Sequence, residues 1–354
     1  MSFASTATCD AYPSESVAAD PRIGRPYPSP EVVAPEPVRG ELEVALALRH
    51  AGTRDVRVRW QRHGDPRLPA IVVQGGISAD RRAAACAGDE GPGWWQPQVG
   101  AGRALDPRHV QLVSIDWLGS DGWLDAPIDT ADQADAIAAV LDRLGIARLG
   151  AFVGCSYGAL VGLQFAARHP ERVGHVLAIA GAHRPHPYAS ALRALQRKVV
   201  ALGQIQCADA LGLSLARQLA MLTYRAPEEF ALRFADDVVL DGAHARCAAE
   251  DYLEAQGTRY AERWSPTAFA RLSESIDLHR VDPAAIRVPA TLVAVHGDRL
   301  VPPEDAHELA ARLGAPARVH VLRSLFGHDA FLKEAVVFDA LLRDVRAVAC
   351  GGAA

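Results

Sequence analysis

What this chain lacks narrows its possibilities first. Six cysteines stand in 354 residues, at Cys9, Cys86, Cys155, Cys207, Cys247 and Cys350. They form no C-x-x-C pair and no dense framework, which excludes a disulfide-stapled small scaffold and suits thiols kept reduced in a cytoplasm. No run of about 18 apolar residues occurs, and the start MSFASTATCDAYPSES has no basic segment followed by an apolar one, so neither membrane insertion nor export is expected. An excess of positive charge is also missing: 37 Lys and Arg against 42 Asp and Glu give a net charge of -5. No general attraction for nucleic acid or an anionic membrane follows, and neither is expected as a partner.

Nearly half the residues, 49%, are apolar, enough to fill one large core with an inserted subdomain. Residues 1–40 are dense in Pro, Ser and Ala, too poor in helix or strand formers to read as anything but an arm. Thereafter short β-branched runs alternate with Ala/Leu-rich amphipathic stretches, as in repeated βα units. VRVRW (56–60), AIVVQ (70–74), VQLVSIDW (110–117), RLGAFVG (148–154), VGHVLAIAG (173–181), ATLVAVHGD (290–298) and ARVHVLRS (317–324) read as strands. Most are continuously apolar, which places them inside a mostly parallel sheet covered on both faces. Helices are expected at 130–145, 157–169, 303–314 and 329–348, with Thr130 at a helix start and Gly145 and Gly314 at helix ends. Residues 185–285 offer helical pattern without a convincing strand, so an all-helical insertion is expected there. The core then comprises 41–184 and 286–350.

GCSYG at 154–158 follows a strand and opens a helix. That is the setting in which G-x-S-x-G forms a nucleophile elbow, small neighbours letting the backbones approach around a projecting serine. A serine hydroxyl needs a base, and the base an orienting acid, so Ser156 predicts an Asp and a His later in the chain. Asp298 ends the strand TLVAVHGD, and His328 lies in LFGHDAFL beyond the last strand. The three together imply an α/β fold of the α/β-hydrolase type, with a helical lid inserted between core strands. Acyl transfer also requires amides aimed at an oxyanion, for which the N–H groups of Tyr157 and of Ile77, in VVQGGISAD, are the candidates. No G-x-x-x-x-G-K-[ST] or G-x-G-x-x-G pattern argues for a bound nucleotide phosphate.

GCSYG, MLTYR (221–225), YLEAQGTRY (252–260), SESIDLH (273–279), GDRLVPP (297–303) and GHDAFL (327–332) resemble the MetX-type homoserine O-acyltransferases over about residues 70 to 345. The resemblance implies a helical lid, a homodimer and a ping-pong reaction through an acyl-serine, with acyl-CoA as co-substrate and no other cofactor. It also implies that Arg217 and Tyr224 hold the amino acid. An Arg fork suits a carboxylate, and Asp329 beside the base suits an α-ammonium, so the pair would read L-homoserine as a zwitterion. Acetyl-using members commonly carry Met after the nucleophile and then two glycines, where this chain has Tyr157, Gly158 and Ala159. With QGGISAD, GPGWWQPQVG (91–100) and IDWLGSDG (115–122), these departures resemble the branch that uses succinyl-CoA. Acetyl-CoA as donor, serine as acceptor and simple ester hydrolysis remain the alternatives.

His183 and His186 have an H-x-x-H spacing but sit among prolines without a third ligand, so no metal is expected. Cys155 reads as packing rather than a reactive thiol. Trp94 and Trp95 either wall the acyl pocket or pack a loop onto the core.

Overall fold

The computed structural model describes residues 36–351. Most of the expected 1–40 arm lies outside them, but its last residues do not: the strand β1 (Val38–Leu48) begins at Val38. It pairs antiparallel along its whole length with β2 (Gly52–His63). β3 (Ala70–Gln74), β4 (Gln111–Ile115), β5 (Ala151–Cys155) and β6 (Val176–Ile179) follow. Every residue of these four is buried, as continuous apolar runs require of central parallel strands.

Between β4 and β5 runs α1 (Thr130–Arg143). Its cap is Asp129, not Thr130: the Asp129 carboxylate accepts from the amides of Ala131 and Asp132, and the Asp132 carboxylate accepts from the Asp129 amide. A carboxylate at this place satisfies two orphan amides and faces the positive helix end, which a buried threonine hydroxyl one residue later cannot do. After β5 comes α2 (Tyr157–Arg168).

The chain then leaves β6 for an excursion built of α3 (Pro187–Ile205), α4 (Asp209–Tyr224), α5 (Pro227–Arg233), a hairpin of β7 (Val239–Asp241) with β8 (His244–Arg246), α6 (Ala248–Ala261) and α7 (Pro266–Leu278). The hairpin departs from the all-helical expectation; Gly242, with φ of 61°, sits in its turn, a conformation in which L residues clash. The stems are tied where they meet: the Val281 amide donates to the His183 carbonyl at 3.0 Å. His279 bridges Thr130 Oγ1 (2.6 Å) and the Ala182 carbonyl (3.0 Å), and burial pushes its imidazole down to about 3, so it remains neutral.

β9 (Ala290–His296), α8 (Pro303–Arg312) and β10 (Ala317–Arg323) restore the rhythm. α8 ends at Arg312, so Gly314 is not a left-handed cap; a Cβ there would lie 2.5 Å from the Ala284 carbonyl oxygen, and close packing accounts for the glycine. The last expected helix is broken in two, α9 (Ala330–Lys333) and α10 (Ala335–Ala349). At the break the Glu334 carboxylate accepts from Ser324 Oγ, and Gln98 caps the Ala335 carbonyl.

The eight-stranded sheet has the order β1-β2-β4-β3-β5-β6-β9-β10, parallel from β4 onward. Alternation divides its side chains between two apolar layers. Val72, Val113 and Phe152 pack with α1, α2 and α8; Ile71, Val73, Leu112 and Val153 pack with Trp95, Leu105 and α10. The chain passes from β3 to β4 on one side and then to β5 on the other. β3 is therefore the switch point, and the crevice beyond its carboxyl end is where open α/β sheets bind ligands.

Candidate active site

β5 and α2 meet at Ser156, whose φ of 53° and ψ of -116° belong to a region that L residues avoid. Such a conformation costs about 1–3 kcal/mol and persists only when surroundings enforce it. Here the Ser156 amide donates to the Ile179 carbonyl at 2.7 Å and the Gly158 amide to the Gly75 carbonyl at 2.9 Å. A Cβ on Gly158 would lie 2.3 Å from the Gln74 carbonyl oxygen, and one on Gly154 2.2 Å from the Gly158 oxygen. Only hydrogen fits at either place, which is why the serine is flanked at this spacing.

His328 Nε2 lies 2.7 Å from Ser156 Oγ, and His328 Nδ1 lies 2.7 Å from Asp298 Oδ2. The sequence-predicted hydroxyl, imidazole and carboxylate thus stand in one hydrogen-bonded series. A carboxylate can only accept, so Nδ1 carries the proton and Nε2 is left as the acceptor for the serine O–H. Asp298 is fixed by amides of Leu300 (2.8 Å) and Val301 (3.1 Å) on its other oxygen. Burial acts to lower the His328 pKa, but the charge and hydrogen bond of Asp298, helped by Asp329, outweigh it and raise it above its ordinary value.

The Tyr157 amide opens α2 and the Ile77 amide follows the two glycines after β3. Neither has an acceptor among the described residues. The Ile77 loop runs beside the nucleophile: a Cβ on Gly76 would lie 3.8 Å from Ser156 Cβ. The Tyr157 side chain turns the other way, fully buried, with its hydroxyl 2.6 Å from Ser275 Oγ on α7.

Ser156 and His328 open into a cavity of about 230 Å³ between the sheet and the excursion, roofed by α3 and α4. Arg217 and Tyr224, seven residues apart on α4, both line it. The Arg217 guanidinium lies between the rings of Tyr224 (5.3 Å) and Tyr260 (5.1 Å) and has no carboxylate partner among the described residues. The other cavity-lining arginines are engaged: Arg193 with Asp277, Arg184 with Glu308. Asp329 also lines the cavity, but it is already 3.0 Å from the Nε of Arg225, which in turn pairs with Glu229. Burial raises the Asp329 pKa, opposed by Arg225, His328 and Arg217.

Arg225 is a residue the sequence reading missed; it sits in MLTYR, beside Tyr224, and the only signal was its place in that motif. Trp94 lines the cavity, whereas Trp95 is buried with its indole donating to the Phe331 carbonyl, so the two tryptophans divide the alternatives. Cys155 is wholly buried and burial pushes its thiol well up. His186 caps α3 through the Tyr188 amide, and His183 faces Glu308 at 3.3 Å.

Residues 69–335 match the family model described as alpha/beta hydrolase fold. The chain is 58% identical over 315 residues to a homoserine O-succinyltransferase of Xanthomonas campestris, covering 89% of this chain and 85% of that one. It is 31% identical to a homoserine O-acetyltransferase of Nocardia farcinica, covering 81% and 86%. Among solved structures, a homoserine O-acetyltransferase from Bacillus anthracis superposes with TM-score 0.80 at 16% identity, covering 88% of this chain and 98% of that one. Esterase E22 superposes with TM-score 0.78 at 16% identity, over 88% and 100%; likeness at that identity speaks to fold alone. With the family model spanning most of its length and extensive identity to these relatives, the chain belongs to the MetX-type homoserine O-acyltransferases of the α/β-hydrolase superfamily.

Proposed function

We propose that this enzyme is a homoserine O-succinyltransferase, moving the succinyl group of succinyl-CoA to the hydroxyl of L-homoserine through an acyl-Ser156 intermediate, in methionine biosynthesis. The observation that carries the reading is the Ser156, His328, Asp298 series opening onto a cavity that also presents the Arg217 guanidinium, which has no carboxylate partner among the described residues. The 58% identity to a succinyltransferase, against about 30% to the acetyltransferases, supports succinyl as the group moved.

His328 Nε2 takes the Ser156 proton as Oγ attacks the thioester carbonyl, and the amides of Ile77 and Tyr157 hold the resulting oxyanion. The imidazolium, stabilised by Asp298, returns that proton to the departing CoA sulfur. In the second half the homoserine hydroxyl gives its proton to Nε2 and attacks the acyl-serine carbonyl. Collapse releases the product ester and reprotonates Ser156. Arg217 holds the acceptor carboxylate, Tyr224 walls it beside the His328 ring (6.0 Å between centroids), and Asp329 takes the ammonium. No cofactor beyond the acyl-CoA co-substrate enters these steps. No helix among the described residues is long and apolar enough to cross a membrane, and the proposed setting is the cytoplasm. The proposed assembly is a homodimer, supported by the exposed stripe Leu211, Leu215, Leu219 and Leu222 on the outer face of α4.

The test is thiol release from succinyl-CoA and from acetyl-CoA, each with homoserine, serine or no acceptor, beside Ser156→Ala. Succinyl-CoA with homoserine should be the fastest pairing and the alanine variant inert. Preference for acetyl-CoA would make this an acetyltransferase, and release that continues equally fast beyond one equivalent per site without acceptor would make it a hydrolase.

A further inference from the structure

A backbone amide stabilises an oxyanion only when its N–H points at the place where charge develops, so something must aim it. The Ile77 N–H shares a planar trans peptide with the Gly76 carbonyl, and in such a unit the two point in opposite directions. Whatever holds the carbonyl therefore aims the N–H. Two donors hold it: the Ala79 amide at 2.9 Å and the indole Nε1–H of Trp117 at 3.1 Å. The Ala79 bond is internal to the loop and turns with it. The Trp117 bond is anchored elsewhere, because Trp117 lies two residues past β4 and is buried.

The same indole meets the Tyr157 ring edge-on, with centroids 4.7 Å apart at 74°. Tyr157 carries the second amide on its own backbone, and its hydroxyl is held from the far side by Ser275. The Tyr157 amide itself is aimed within α2, where the Ser156 carbonyl accepts from the Ala159 and Leu160 amides, so the indole's grip on the Gly76 carbonyl bears on the Ile77 half of the site. The register beneath is locked too: the Gln74 side chain accepts from the Ile115 amide at 2.8 Å, tying the carboxyl ends of β3 and β4 from which the two segments emerge.

We propose that Trp117 is the positioning residue that aims the Ile77 amide at the tetrahedral oxyanion of both half-reactions. The inference rests on the acyl-Ser156 reading. Both the formation and the breakdown of the acyl-serine pass through an oxyanion at the same place, so a misaimed amide must slow both. A defect of packing around one substrate would instead raise that substrate's KM or slow one half only.

The experiment uses the full chain with Trp117→Phe and, as a second variant, the indole isostere benzothienylalanine at position 117, which keeps the ring shape and removes only the N–H. Thiol release from succinyl-CoA without acceptor reads acylation; addition of homoserine to the preformed acyl-enzyme reads deacylation. Losing a whole oxyanion donor costs about 10²–10³ in rate; misaiming one should cost about 10- to 100-fold in each half-reaction. Both KM values should hold within about twofold. Parent rates in the isostere variant, or a loss confined to one KM or one half-reaction, would overturn the assignment of Trp117. Ser156→Ala run alongside separates the two levels: turnover there would sink the covalent reading itself, whereas an inert alanine variant beside an unimpaired isostere sinks only the role of Trp117.

Discussion

Replacing Arg217 by lysine keeps the charge on α4 and removes the planar fork. In the structure the guanidinium is held between two aromatic rings, Tyr224 and Tyr260, at 5.3 and 5.1 Å, and no carboxylate among the described residues forms an ion pair with it. It is therefore preorganised for an incoming carboxylate, and two N–H donors can engage the two oxygens in parallel. An ammonium at the end of a flexible stem makes such contact as a point charge and loses at least one of those bonds. A hydrogen bond to a charged group contributes about 1.5–3 kcal/mol, which corresponds to a fall of about 10- to 150-fold in kcat/KM for homoserine. In the proposed mechanism the acceptor enters only after CoA has left, so thiol release in the absence of homoserine should keep its parent rate and its parent donor KM. The assay is thus stopped-flow thiol release with and without acceptor, on one enzyme preparation. A homoserine kcat/KM within about threefold of parent would refute the carboxylate role. A rise in the KM for succinyl-CoA would show instead that Arg217 serves the distal carboxylate of the donor.

Because only neutral His328 can accept the Ser156 proton and its pKa is raised, acylation should fall with decreasing pH through a midpoint above 6.5, the ordinary value of the imidazole. Asp329→Asn removes one of the negative charges responsible, so the midpoint of the acylation profile should move to lower pH; an upward move would contradict the electrostatics. Gly158→Ala forces a methyl to within 2.3 Å of the Gln74 carbonyl oxygen, backbone against backbone, and should lower stability in a denaturant titration by about 1–3 kcal/mol or more; an unchanged midpoint would show that the elbow tolerates what its geometry forbids. Leu215→Glu with Leu219→Glu on the outer face of α4 should yield monomers by sedimentation if that stripe is buried between two copies, and an unaltered mass would place the dimer contact elsewhere.

The parts of this molecule that could be read from sequence are those where one local pattern serves one local need. Buried parallel strands are continuously apolar because both faces are covered, and GCSYG betrays its turn because only hydrogen fits at 154 and 158. β1 was less visible. It alternates half-buried Leu42, Val44 and Leu46 with exposed Glu41, Glu43 and Ala45, an edge pattern rich in Glu, Ala and Leu rather than in β-branched residues, directly after a proline-dense stretch. The β7 and β8 hairpin did carry a signal, the Asp241-Gly242 pair, but its strands are short and exposed, so apolar patterning gave no help. The break at Glu334 has no proline or glycine to announce it and arises from Ser324 and Gln98, distant in the chain. Asp329 beside the base suits an α-ammonium, but nothing in the sequence showed that Arg225 already lies against its carboxylate. Likewise nothing near Gly76 in sequence predicts that an indole 41 positions later would hold its carbonyl. Contacts between remote residues leave no local trace until the backbone has been built.

β6 and β9 lie side by side in the sheet, hydrogen-bonded through Val176 to Ile179, although the whole roof of the cavity is spliced in between them. β6, which pairs with the strand leading to Ser156, and β9, which leads to Asp298, would close ranks identically over a shorter or longer detour. Natural variation can therefore rewrite the chamber that meets the acceptor, residue by residue, while the bond-making apparatus below is inherited unaltered, and a change of substrate demands no new scaffold.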